Sequence, residues 1–303
     1  MPELPEVQTT VNGLNATVKG QKIIDVWTSY KSSHKMHLGS IKEPKFFTDF
    51  KKKVKNQKII NSERRAKNIL IHLTGGNTIL IHMKMTGHLL YGKYKFSKGA
   101  WTSNENKFLA DPFNGHIRLV FILDNKKHLA FSDMRKFAKV TLIETAKLDE
   151  SLHVFHLGPE PLSPSFTCKI FKAQLLKRPK GKVKQILMDQ TLIAGIGNIY
   201  SDEILWRAGV HPMSGPEKIP EKNMKLMYKA TKVTLKRGID FGGDSMSDYR
   251  NIHGKRGKFQ DQHKAYQKNK TKCSKPGCKG VLEKMKVGGR SAHFCPVHQK
   301  LFI

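Results

Sequence analysis

Met1-Pro2-Glu3-Leu4-Pro5-Glu6-Val7 begins the chain and sets a helix start beside a possible nucleophile. Pro5 fixes φ where a helix can begin, and Val7, Val11, Leu14 and Val18 recur at helical spacing until Gly20. Removal of Met1, which the small, rigid Pro2 permits, would leave a secondary amine that is nucleophilic without any side chain. A carboxylate, Glu3, follows at once. Proline and glutamate are also ordinary helix-start residues that suit the helix dipole, so these seven residues alone leave both readings open.

Beyond this helix, residues 23–29 form a predicted strand. The basic stretch 42–58 carries Phe46, Phe47, Phe50 and Val54 at helical spacing, an amphipathic surface segment. Residues 58–73 and 78–90 have strand character, with Gly75-Gly76-Asn77 as the turn between them. Arg64-Arg65-Ala66-Lys67-Asn68 interrupts the first run with cations that should face solvent or a phosphate. Met85, before Thr86-Gly87, is either core or an apolar wedge at a turn. Residues 91–115 are expected to be a long loop. Strands follow at 116–123, 128–131 and 139–143, with Asp133-Met134-Arg135-Lys136-Phe137 before the last. The first 150 residues are therefore expected to be a two-layer β-sandwich with one leading helix.

After the Pro-rich connector 158–164 the pattern becomes helical, at 166–176, 183–188, 201–206 and 221–236. Leu192-Ile193-Ala194-Gly195-Ile196-Gly197-Asn198-Ile199-Tyr200 joins two of these helices. It is either a plain helical hairpin or a helix-turn-helix unit whose exposed N–H groups, with the Gly197-Asn198 pair, grip a phosphate. The polar, glycine-bearing, basic stretch 242–260 is expected to be a loop that orders on a ligand. At the end, Cys273-x4-Cys278 and Cys295-x2-His298 flank one β-hairpin, with strands at 281–287 and 291–294 and its turn at Gly288-Gly289. Three thiolates and one imidazole match a closed, tetrahedral structural zinc site. So small a hairpin cannot fold on apolar burial, so the one Zn2+ would supply its stability. Arg290 would then stand at a rigid tip.

Charge is the outlier in composition. Lys and Arg number 55 against 24 Asp and Glu, a formal net charge of +31. That excess points to a polyanionic partner, nucleic acid first, with an anionic membrane surface or a merely Lys-rich exterior as alternatives. No secretory leader pattern and no run of 18 apolar residues occurs, which leads to the expectation of a soluble, intracellular protein. The crowding of three of the four cysteines near the end suits a metal better than a disulfide framework.

Taken together, the Pro2-Glu3-Leu4-Pro5-Glu6 start, Ile196-Gly197-Asn198-Ile199-Tyr200, and the Cys273 to His298 finger with Gly289-Arg290-Ser291 resemble the formamidopyrimidine-DNA glycosylase and endonuclease VIII family of repair enzymes. The Glu-Leu-Pro-Glu start is similar to the formamidopyrimidine branch. The resemblance implies an α+β, multidomain protein, with a catalytic β-sandwich domain over 1–150, a helix-two-turns-helix domain over 151–240, and a lesion-recognition loop with the zinc finger over 241–303. It implies a bifunctional glycosylase and abasic-site lyase acting on double-stranded DNA that contains oxidised purines, with oxidised pyrimidines and a non-catalytic zinc-finger DNA-binding protein as alternatives. It further implies a monomer, without membrane association, that is cytoplasmic and nucleoid-associated in a bacterium.

By the same resemblance Pro2, Glu3, Lys67 and Arg290 form the catalytic set and Glu6 supports it. Met85, Arg135 and Phe137 fill the hole left by the extruded base. Lys67, Asn198 (beside Gly197) and Arg290 hold phosphates. Gly242-Gly243 and Phe259-Gln260 resemble the loop over the damaged base. Two departures stand out: the finger has a four-residue first gap and ends in His298 where the family usually has cysteine, and residues 30–45 and 93–114 do not match the family pattern.

Overall fold

The computed structural model describes residues 1–32, 34, 38–151 and 154–303, which form two compact units; part of the unmatched 30–45 stretch lies outside the described residues. The first unit combines residues 1–155 with 241–258, and the second combines 156–240 with 259–303. The stretch after 240 is thus shared between them.

The first unit begins with α1 (Leu4–Thr17), β1 (Ile23–Thr28) and α2 (Pro44–Val54). Strands β2 (Ile59–Arg65), β3 (Asn68–Leu73), β4 (Asn77–His82) and β5 (His88–Gly92) follow, then the short pair β6 (Lys95–Ser97) and β7 (Ala100–Thr102). Strands β8 (Ile117–Leu123), β9 (His128–Ser132) and β10 (Lys139–Glu144) complete it. Two antiparallel sheets form the sandwich, in the orders β1-β8-β9-β5 and β10-β4-β3-β2. Their facing apolar residues, among them Ile69, Ile71, Ile79, Ile81, Leu119, Phe121, Leu129 and Phe131, make one core with Val7, Val11 and Leu14 of α1. Helix α2 is amphipathic as its spacing indicates. It buries Phe50 and Val54 in that core and leaves its lysines outside, each buried apolar side chain being worth about 1.5–3 kcal/mol.

The two long predicted strands each break in the middle. The first is a tight hairpin, β2 to β3, whose turn puts Ala66 at φ 53°. The second is more consequential, because β4 and β5 belong to different sheets: the chain changes layer at residues 83–87. It changes back at 133–138, between β9 and β10. The feet of these two corners are paired, His88 with Ser132 and His82 with Lys139, so they lie side by side at one end of the sandwich. Hydrophobic alternation continues through such a corner, which is why the sequence pattern hides it.

Residues 91–115 are not a plain loop. They contain the β6–β7 hairpin, held by Trp101 and Phe96 against Trp27, with ring centroids 5.6 Å apart for Trp27–Phe96 and 6.0 Å for Trp27–Trp101. Aromatic contacts, rather than a period-two pattern, define these three-residue strands.

In the second unit α3 (Cys168–Leu176), α4 (Val183–Met188), α5 (Asn198–Ala208) and α6 (Glu221–Asp240) form the helical part, and β11 (Glu283–Val287) and β12 (Arg290–Phe294) form the terminal hairpin. Helix α5 ends on Gly209 at φ 67°, a left-handed cap that returns its N–H to Leu205 and Trp206. None of the helices among the described residues is long and apolar enough to cross a membrane.

The 83–87 corner depends on the absence of a side chain at Gly87, where a Cβ would lie 2.5 Å from the Met83 carbonyl and 2.5 Å from Phe131 Cζ. Gly87→Ala is expected to lower stability by about 1–3 kcal/mol, read as a reduced urea midpoint at constant slope.

Candidate active site and metal centre

The chain start is held by a buried carboxylate. Glu3 is the N-cap of α1 and its side chain accepts from the Glu6 N–H, while Glu6 Oε2 accepts from the Glu3 N–H at 2.7 Å, a reciprocal capping pair. Glu6 Oε1 accepts from the Asp244 N–H at 2.7 Å, and the Tyr249 hydroxyl donates to the Glu6 carbonyl at 3.0 Å. Pro2 is buried, and Glu3 and Glu6 are only 2% and 1% exposed, whereas Met1 is 41% exposed. The residue that would become the terminus is thereby fixed, and the one to be removed stays accessible.

The segment bringing Asp244 and Tyr249 is the stretch 242–260 expected to await a ligand, and through residue 258 it is already built into the first unit. Gly243, at φ 85°, explains the glycine pair: a Cβ there would lie 2.9 Å from Glu6 Cγ and 3.0 Å from Tyr249 Cε1. Ser245 Oγ accepts from the Gly257 N–H at 2.8 Å and donates to the Tyr249 carbonyl at 2.7 Å, and the Tyr91 N–H donates to Ile252. Burial raises the Tyr249 hydroxyl well above its ordinary range, which keeps it a donor. Sequence reasoning did not single out Tyr249. Its one signal is that no other Phe, Tyr or Trp stands between Gly243 and Phe259.

Lys67 is buried in the turn after β2. That strand is fastened to α1 at two levels: Asn15 exchanges hydrogen bonds with the Ser62 backbone at 2.8 and 2.7 Å, and Arg64 Nε donates to Gln8 Oε1 at 3.0 Å. Arg64 Nη1 also donates to the Ala66 carbonyl at 3.0 Å, fixing the turn itself. A lysine with so little exposure is held in place rather than left as a solvated surface charge.

Met85, Arg135 and Phe137 occupy the two corners. Met85 is 39% exposed and Phe137 52%, so the alternative of a core methionine does not hold, and the Arg135 guanidinium lies 4.5 Å from the Phe137 ring centroid. Exposed apolar side chains at turn tips have the chemistry of wedges.

In the second unit, Gly197 caps α5 and Asn198 is its first residue. Gln190 shapes the preceding turn: its Nε2 donates to the carbonyls of Met188 and Ile196 at 2.8 and 2.7 Å, and its Oε1 accepts from the Gly195 N–H at 2.9 Å. The Asn198 side-chain oxygen is buried without a hydrogen-bond partner. Arg290 opens β12 beside the Gly288-Gly289 turn and is exposed. Helix α5 and the hairpin are joined through Asp202, which pairs with the fully buried Lys184 and accepts from both the N–H and Nδ1 of His293 at 2.9 Å. Lys184 was hidden in the sequence among the lysines of the 177–184 break, since charge patterning does not tell a buried ammonium from solvated ones.

Cys273, Cys278, Cys295 and His298 converge, with all four donor atoms within 4.8 Å of one another. All four cysteines of the chain are free, and Cys278 Sγ and Cys295 Sγ are 3.6 Å apart. That is far from a disulfide and close to the edge of about 3.7 Å expected for thiolates about 2.3 Å from a tetrahedral centre. His298 Nε2 donates to the Trp206 carbonyl at 2.9 Å, which orients Nδ1 toward Cys273 Sγ at 3.2 Å. Such a carbonyl behind a histidine is the usual support for a metal ligand. The donor set fits a closed metal site despite the longer first gap and the terminal histidine.

Comparison with known proteins agrees over both units. The formamidopyrimidine-DNA glycosylase N-terminal domain matches residues 1–140, and the formamidopyrimidine-DNA glycosylase H2TH domain matches residues 157–250. The chain is 34% identical over 301 residues to the formamidopyrimidine-DNA glycosylase of Pelotomaculum thermopropionicum, covering 99% of this chain and 100% of the relative. It is 36% identical over 301 residues to that of Streptococcus pyogenes serotype M6, covering 99% of each. Among solved structures, the Lactococcus lactis Fpg in complex with DNA containing an abasic site is similar at a TM-score of 0.82 and 30% identity, covering 98% of this chain and 99% of the other.

Asp202→Ala would remove the carboxylate that neutralises the buried Lys184 ammonium, at an expected cost of about 3–5 kcal/mol in urea unfolding. The double variant Lys184→Met, Asp202→Leu is expected to recover only part of that loss, because the buried His293 N–H and Nδ1 still lose the Asp202 carboxylate.

Proposed function

Because this chain belongs to the formamidopyrimidine-DNA glycosylase family, we propose that it excises oxidised purines from double-stranded DNA and then cuts the strand as an abasic-site lyase. The observation that carries this reading is the buried Pro2-Glu3 start, clamped through Glu6 to the segment 241–258 while Met1 remains exposed.

Once Met1 is removed, the neutral Pro2 amine attacks C1′ of the damaged nucleotide. The N–C1′ bond forms, the glycosidic bond breaks, and the base leaves with a proton. Glu3, buried next to Pro2, donates the proton that opens the sugar ring. The secondary amine gives an iminium ion, whose positive charge acidifies the C2′ proton. Loss of that proton expels the 3′ phosphate, and a second elimination expels the 5′ phosphate, after which water releases Pro2. An unperturbed α-amino group has a pKa of about 7.7–8.0, so a cation near it, the role given to Lys67, favours the neutral amine. Met85, Arg135 and Phe137 enter the duplex as the base leaves, offsetting an unstacking cost of about a few kcal/mol. Asn198 at the start of α5 and Arg290 at the hairpin tip bind phosphates. The protein acts as a monomer.

Cys273, Cys278, Cys295 and His298 would hold one Zn2+, which stabilises the hairpin and takes no part in bond breaking. Purified protein is expected to contain about one zinc per chain by elemental analysis, and Cys295→Ala to lose both the metal and DNA binding.

Borohydride is expected to trap a covalent adduct between the protein and DNA bearing 8-oxoguanine opposite cytosine, with mass spectrometry locating it on Pro2 and finding no Met1. Pro2→Gly or an amino-terminal extension should abolish the adduct. Cutting at full rate by protein that retains Met1 would overturn the chemistry, and faster cutting at thymine glycol would move the substrate to oxidised pyrimidines.

A further inference from the structure

The two corners that carry Met85, Arg135 and Phe137 share one buried anchor. Asp133 is completely buried at the foot of the 133–138 corner. Its Oδ1 accepts from Thr86 Oγ1 at 2.6 Å, and its Oδ2 accepts from the Tyr30 hydroxyl at 2.8 Å and from the Ala138 N–H at 2.9 Å. Thr86 Oγ1 in turn accepts from the Arg135 N–H at 3.1 Å. The residue after Met85 is therefore tied to the backbone of Arg135, and the loop bearing Phe137 is closed across its base.

The outer end of this network is also built. Tyr30 lies in the stretch that does not match the family pattern. The Lys42 ammonium sits 5.3 Å from the Tyr30 ring centroid and donates to the Lys136 carbonyl at 2.6 Å. Burial, reinforced by the Asp133 carboxylate, raises the Tyr30 hydroxyl far above its ordinary range, so it remains a donor. The Asp133 backbone is fixed as well, its N–H donating to the His116 carbonyl at 2.9 Å. Hydrogen bonds to an ionised carboxylate are short and strong, and a side chain that must enter a base stack needs a rigid support.

We propose that Tyr30, Asp133 and Thr86 are positioning residues that lock the two corners into one wedge, so that base extrusion from a duplex depends on them while chemistry at the sugar does not. This rests on the glycosylase and lyase reading above, and the two can fail separately.

The test compares two substrates under single-turnover conditions: 8-oxoguanine in a duplex, which must be extruded, and an abasic site in single-stranded DNA, which need not be. Tyr30→Phe, which loses one hydrogen bond to the carboxylate, is expected to slow duplex excision about tenfold, and Thr86→Val, which loses that to Asp133 and that from the Arg135 N–H, at least as much. Borohydride trapping of the single-stranded abasic site should stay at the wild-type rate. Thr86→Ser, which keeps the hydroxyl, should restore duplex excision. Thermal melts confirm that each variant is folded, and Tyr30→Phe, which retains the ring, serves if Thr86→Val does not fold. Equal slowing on both substrates, or unchanged duplex excision, overturns the proposal. Failure of the wild-type protein to form an adduct with either substrate instead overturns the glycosylase and lyase reading.

Discussion

A carboxylate removed from water has to be met by donors, and the arrangement of this protein follows from how its buried acids meet that demand. Glu6 is the first case. Its oxygens take the N–H groups of Glu3 and Asp244, so one side chain fixes the chain start and the return of a segment more than two hundred residues later. Without that bridge the terminus would be a frayed helix end, as chain termini usually are. With it, Pro2 is a defined position in space.

The same device recurs under the other elements. Asp133 gathers Tyr30, Thr86 and Ala138 beneath the two corners. Asp202 joins Lys184 on α4 to His293 on the terminal hairpin. Glu203 accepts from the consecutive N–H groups of Lys264, Ala265 and Tyr266. In a chain with 24 acidic residues against 55 basic ones, these carboxylates act as internal anchors, and the surplus of cations is left to the surface. The division suits a protein that approaches a polyanion, because net charge draws the partner in while satisfied buried charges hold the contacting parts still.

The sandwich contributes a second constraint. A chain that changes sheets must turn at the end of the layers, and two of the crossings here, β4 to β5 and β9 to β10, are made at neighbouring positions. Such corners are short and tethered at both feet, which lets them present exposed Met85, Arg135 and Phe137 without becoming loose loops. The terminal hairpin solves a similar problem by other means. Its small apolar cluster of Ala265, Leu282 and Trp206 surrounds cysteines, and the convergence of four soft donors substitutes for a core.

The sequence by itself determined whatever is local. Helix α1, the amphipathic α2, α4 over 183–188, the β11–β12 hairpin and the four-ligand cluster follow from spacing, proline and glycine positions and donor chemistry, each of which acts over a few residues. The candidate positions Pro2, Gly197, Asn198 and Arg290 were legible because they sit at element boundaries with distinctive residues. Only the tertiary structure decided which strands share a sheet, that residues 83–87 and 133–138 are adjacent corners, and that Met85 is exposed. It also singled out Lys184, Asp133 and Tyr249 from residues of the same type. Burial and hydrogen-bond partnership join positions far apart in the chain, and no periodicity in a single sequence records them.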